Sequence, residues 1–76
     1  GVEVAAIFKE IEGSLIRVGL RSNEWVDVSA IAAKFNGGGH PRAAGCQINL
    51  PLKEAYDIVL KVIKRTIAEE TSERCN

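Results

Sequence analysis

Apolar residues recur along the chain with two different periods, and the switches between them mark out five elements. From Val2 to Ile11, Val2, Val4, Ala6 and Phe8 fall on one face at period two, the pattern of a strand. The other face carries Ala5, Ile7 and Ile11 with Glu3 and Lys9. Glu12-Gly13 supplies a tight turn, and Ser14 to Ser22 reads as the returning strand. There Ile16, Val18 and Leu20 share one face, while Arg17, Gly19 and Arg21 share the other. Asn23 to Val26 form a loop around the only tryptophan, Trp25, whose size favours closing one end of a core over stacking on a base. Asp27 is a good N-cap, and Val28, Ile31, Ala32 and Phe35 follow at i, i+3, i+4 and i+7 as in a short amphipathic helix. Ala44, Cys46 and Ile48 predict a third strand over Ala43 to Asn49. Pro51 suits the first turn of a last helix, with Leu52, Ala55, Val59, Val62 and Ile63 as its buried stripe and an end near Glu70.

This order, β-β-α-β-α, predicts an α/β fold: a small mixed β-sheet with two helices packed on it. A strand–helix–strand run favours a crossover that leaves the second and third strands parallel. Seventy-six residues suffice for one small domain, residues 1–70, followed by a polar and frayed tail at 71–76. The chain opens directly into a strand, which suggests a piece of something longer.

Composition is ordinary for a globular chain, with 46% hydrophobic and 26% charged residues. Ten basic residues balance ten acidic ones, which argues against a protein that coats polyanions. Between Ser14 and Arg42, however, Arg17, Arg21, Lys34 and Arg42 outnumber Glu24 and Asp27. A small or single-stranded anion fits that local excess better than a long duplex. Cys46 and Cys75 are too few for a disulfide framework or a zinc site, and Cys46 reads as a small buried hydrophobe. With one histidine and no clustered carboxylates, neither a metal site nor a cofactor is expected in this chain. No run reaches membrane-spanning length and no signal peptide is visible, so the cytoplasm is the default compartment.

The candidate chemistry lies in Asn36-Gly37-Gly38-Gly39-His40-Pro41-Arg42-Ala43-Ala44-Gly45, which holds four of the seven glycines and the only histidine. Three consecutive glycines lose backbone entropy that a connection need not lose, and they expose N–H groups that can cradle an anion. His40 and Arg42 add side-chain donors. The run follows a helix C-terminus, the negative end of the dipole, and lacks a Gly-Lys-Ser/Thr sequence, so it is not a nucleotide-triphosphatase loop. Binding must rest on the loop N–H groups with His40, Arg42 and Arg21. Arg21 lies near its strand end, whereas Arg17 reads as part of a solvated face. Small residues before Cys46 let the chain pass close under a neighbour or ligand.

Gly37-Gly38-Gly39-His40, followed by Arg42-Ala43-Ala44-Gly45 and preceded by Leu20-Arg21-Ser22, resembles the C-terminal DHH-associated domain of bacterial DHH-family phosphoesterases. The likeness spans Val2 to about Ile67 and points in particular to the nanoRNase/pAp phosphatase group, relatives of RecJ-type nucleases. It implies a parent enzyme that hydrolyses short oligonucleotides or 3′-phosphoadenosine 5′-phosphate, with two manganese ions in an N-terminal DHH domain outside this chain. It further implies that Arg21, Ser22, Gly37, Gly38, Gly39, His40 and Arg42 hold substrate across a cleft, with no catalytic residue here and the fragment alone inert. Pro41 departs from the polar or basic residue often found there, so substrate preference is open. The first strand would be left as a bare sheet edge through which a second copy could pair. Three alternatives are a tRNA-binding appendage like that of alanyl-tRNA synthetases, the substrate domain of a cyclic-dinucleotide phosphodiesterase, and a purely structural module.

Overall fold

A computed structural model describes residues 3–23 and 25–74. Val2, Glu24 and Cys75, to which the sequence pattern assigns a strand face, a charge and a tail position, lie outside the described residues. In chain order the elements are β1 (Val4–Glu12), β2 (Leu15–Ser22), α1 (Val28–Ala33), β3 (Gly38–His40), β4 (Ala43–Ile48) and α2 (Leu52–Arg74). The strands form one sheet in the order β1-β2-β4-β3. The α/β class, the two packed helices and the expected succession of long elements all hold.

Two details differ from expectation. The middle of the glycine run is a strand, β3, rather than a loop, and every pairing in the sheet is antiparallel. The expected crossover does join two strands running the same way, β2 and β3. A tight turn at Pro41-Arg42 then reverses the chain, so β4 slips between them and runs against both. The expectation that the strand at Ala43 to Asn49 runs parallel to β2 is therefore wrong: that strand, β4, is antiparallel to β2, and β3, which shares the direction of β2, is not its neighbour.

The core lies between one face of the sheet and both helices. Ile16, Val18 and Leu20 on β2 meet Val28, Ile31 and Ala32 of α1 and Ala55, Val59 and Ile63 of α2, all buried. Burying each larger aliphatic side chain contributes about 1.5–3 kcal/mol. Val4, Ala6 and Phe8 on β1 cover the flank, and Phe8 meets Tyr56 of α2 with ring centroids 5.5 Å apart. Trp25 is partly buried and packs against the same cluster, as its size suggested. Leu52 is the exception in the expected stripe. At the very start of α2 it is 44% exposed, and the stripe continues instead through Thr66. The helix also runs on to Arg74, past the expected end near Glu70.

Both ends of α1 are built by local chemistry. Asp27 accepts from the backbone N–H of Ser29 at 2.9 Å and of Ala30 at 3.3 Å, and from the Ser29 hydroxyl. At the other end, Asn36 takes φ 63° while its N–H donates to the Ala33 carbonyl and that of Gly37 to the Ala32 carbonyl. These two bonds are the Schellman closure, with Asn36 in the left-handed position where glycine is usual.

Candidate functional site

Of the three glycines in the run, the fold requires two and not the third. A Cβ on Gly37 would lie 2.2 Å from the Gly45 carbonyl oxygen and 2.6 Å from Cys46 Cβ. Gly37 is thus demanded by the close passage of the chain from α1 over β4. Gly39 has φ 143°, and a Cβ there would lie 2.7 Å from Ala44 Cα. Gly38 has neither constraint: a Cβ would meet nothing within 4 Å. Its missing side chain serves nothing in the fold, and what it leaves open is the solvent face of an edge strand.

Register places the remaining residues. Arg21 on β2 pairs with Ala43 on β4, which pairs with His40 on β3. These three share the sheet face turned away from the helices, because Leu20 and Ala44 occupy the other. Adjacent strands lie about 4.8 Å apart, so the Arg21 and His40 backbones are roughly 10 Å apart with only the Ala43 methyl between them. Both side chains are exposed.

The histidine is fixed by its own turn. The Arg42 backbone N–H donates to His40 Nδ1 at 3.0 Å. With Nδ1 acting as acceptor, a neutral ring carries its hydrogen on Nε2 and offers that N–H outward. Two main-chain bonds anchor the turn: Ser22 N–H donates to the Arg42 carbonyl at 3.1 Å, and Val28 N–H to the Pro41 carbonyl at 3.0 Å.

Arg42 faces the other way. It lies opposite Ser22, and its Nη1 donates to Ser22 Oγ at 3.4 Å, a long bond. It also stands near Asp27. The Ser29 hydroxyl is the main reason that the Asp27 carboxyl sits below the ordinary aspartate value of 3.8; desolvation opposes it, and the Ala30 and Ser29 N–H groups and the Arg42 charge assist. Arg21 and His40 thus form one pair on the outer face, while Arg42 and Ser22 wrap the same sheet end from the helix side. All four meet around the β3–β4 turn, with Gly37 to Gly39 running along the edge beside them.

A model of the DHHA1 domain matches residues 1–69 of the chain. The chain belongs to the DHHA1 domain family. This DHHA1 domain is 34% identical over 65 residues to the bifunctional oligoribonuclease and PAP phosphatase NrnA of Thermus thermophilus, covering 84% of this chain and 20% of that protein. It is 44% identical over 43 residues to oligoribonuclease NrnB of Bacillus subtilis, covering 55% of this chain and 10% of that protein. It therefore spans a fifth or less of the curated relatives it matches. The DHH-family resemblance read from the glycine–histidine run and Leu20-Arg21-Ser22 holds.

Among the described residues there is no group of three or more His, Cys, Asp or Glu side chains that could hold a metal ion. None of the described helices is long and apolar enough to cross a membrane. Cys46 is buried, and burial pushes its thiol above the ordinary range. One arrangement was missed at the level of sequence: Gly19, Gly45 and Gly38 are register partners in a single row across β2, β4 and β3. Only the strand pairing could have revealed it, since the three stand on three different strands.

Proposed function

We propose that this domain is the substrate-holding part of a phosphoesterase that acts on short oligonucleotides or on 3′-phosphoadenosine 5′-phosphate. The activities named for the NrnA and NrnB relatives support that reading, as does the family. The carrying observation is the Arg21–His40 pair on the outer face, with Nε2–H turned outward by the bond from Arg42 N–H to Nδ1. A phosphate in the gap would receive a charge-assisted bond from the Arg21 guanidinium and a second bond from His40. Gly38 lets it approach the edge backbone closely. Arg42 and Ser22 close the sheet end behind it. Manganese ions in a DHH domain of the parent chain would supply the hydrolytic chemistry, and this domain would hold the ester for it.

The test uses the full-length protein. Titration with 3′-phosphoadenosine 5′-phosphate, with EDTA present to stop turnover, should show His40→Ala and Arg21→Ala each weakening binding about tenfold or more, the usual effect of losing a bond to a charged group. Unchanged affinity and unchanged turnover in both variants would reject the assignment.

A further inference from the structure

The glycine run is preceded by a residue that the holding site leaves unused. Asn36 stands directly before Gly37, and the fold accounts for both identities. Residue 36 closes α1 in the left-handed region, at φ 63°, which glycine and asparagine enter most readily. Residue 37 passes so close to β4 that a Cβ there would lie 2.2 Å from the Gly45 carbonyl oxygen. One corner of the fold thus joins asparagine to glycine, and that pair carries chemistry of its own.

An asparagine side-chain carbonyl lies within reach of the next main-chain nitrogen, and a glycine there has no Cβ to hinder the approach. The Gly37 nitrogen, on losing its proton, can attack Asn36 Cγ. The new C–N bond closes a cyclic imide, and the side-chain nitrogen leaves as ammonia. Water then adds to one of the two imide carbonyls. Opening at one gives aspartate. Opening at the other gives isoaspartate, in which the main chain runs through Cβ and Cγ and is longer by one carbon. Asn36 is exposed, so water reaches it. Asn23 and Asn49 are followed in the sequence by Glu24 and Leu50, larger residues that hinder the same attack.

The folded chain opposes the first step. Gly37 N–H donates to the Ala32 carbonyl at 2.9 Å, and Asn36 N–H to that of Ala33 at 3.1 Å. The attacking nitrogen is therefore held protonated and turned into α1. Bringing it to Cγ requires rotation about the Asn36 Cα–C bond, which swings Gly37 out of its passage over β4.

We propose that Asn36 is a site of spontaneous deamidation, held closed by the Schellman bonds at the end of α1, and that isoaspartate formed there displaces β3. That strand begins at Gly38 and is joined to β4 by three residue pairs. An extra main-chain carbon between residues 36 and 37 has no room in the close passage. The pairing of His40 with Ala43 then shifts, and the histidine leaves Arg21. The deamidation stands by itself; only the loss of grip rests on the function proposed above.

The experiment ages the 76-residue chain at mildly alkaline pH, folded in buffer and unfolded in guanidinium chloride, and follows the tryptic peptide Phe35–Arg42 by mass spectrometry. That peptide contains Asn36 and no other asparagine. Conversion should be about tenfold or more slower in the folded chain, since two hydrogen bonds must open first. Asn36→Gly should abolish it with the melting temperature unchanged or higher, because glycine takes the same φ. The purified isoaspartyl form should melt lower than the aspartyl form, which Asn36→Asp reproduces. Full-length protein carrying isoaspartate, with EDTA present, should bind 3′-phosphoadenosine 5′-phosphate about tenfold or more weakly. Equal rates in the folded and unfolded chains would overturn the closure, and no conversion in the unfolded chain would overturn the site itself. An isoaspartyl form that melts with the aspartyl one would refute the displacement of β3. A lower melting temperature with unchanged binding would instead count against the function proposed above and leave the deamidation site standing.

Discussion

Alanine placed at Gly37 and at Gly38 should have opposite effects on stability, although the residues are neighbours in one glycine run. At Gly38 a Cβ meets nothing within 4 Å and the backbone is not in the left-handed region. Alanine there only reduces the freedom of the unfolded chain, which stabilises by about 0.4–1 kcal/mol. At Gly37 the new Cβ would lie 2.2 Å from the Gly45 carbonyl oxygen, where real contacts do not fall below 3.0 Å, so β4 and the chain crossing it must part by about 0.8 Å. Both groups are backbone or Cβ atoms and cannot swing aside. Forced shifts of this kind cost about 1–3 kcal/mol. The two alanines should therefore differ by about 1.5–4 kcal/mol, or roughly 6 °C or more in melting temperature for a domain of this size. Thermal and urea melts of the 76-residue chain, followed by far-UV circular dichroism, measure this directly. Equal losses at the two positions, or a neutral Gly37→Ala, would refute the close-passage account of the run.

Three further outcomes are expected. Leu20→Ala, at a side chain 1% exposed in the centre of the core, should destabilise by about 2–5 kcal/mol in urea melts. Asp27→Ala removes the cap of α1 and should cost about 1 kcal/mol at neutral pH. Because the folded-state pKa of Asp27 is depressed, its contribution is full above the ordinary value of 3.8 and is lost as pH falls through the lower folded value. The gap between wild type and Asp27→Ala should accordingly narrow in melts below that pH. In a Cys75→Ser background the buried Cys46 thiol should resist a thiol reagent at neutral pH and react at the rate of opening, so that added urea accelerates labelling. Rapid labelling without urea would contradict its burial.

Side-chain periodicity made most of the scaffold legible. Ile16, Val18 and Leu20 alternate cleanly, and Asp27 before Val28 marks the start of α1, because in each case a side chain carries the signal. The strand inside Gly37-Gly38-Gly39-His40 was not legible for the same reason. Glycine has no side chain to alternate, so the run reads as a loop until its hydrogen bonds to β4 are seen. The direction of β4 followed from that omission, since the turn at Pro41-Arg42 can reverse the chain only if a strand precedes it. All seven residues read from sequence as holding substrate come to one end or edge of the sheet. Their division between faces was hidden, because the pairing of Ala43 with Arg21 decides that Arg42 turns toward Asp27 and leaves His40 as the partner of Arg21. Leu52 fits the helical period yet stays exposed, since the first turn of α2 contributes no buried side chain before Ala55.

The anchoring of the β3–β4 turn by its own carbonyls has a consequence for how this domain can change over time. Pro41 and Arg42 are fastened to α1 and β2 through main-chain oxygen atoms, which every residue possesses. The turn consequently keeps its position whatever side chains stand at 40 and 42. Mutations there do not first have to be tolerated by the core, so a lineage can vary the side chains displayed at this end of the sheet from a scaffold that stays folded throughout.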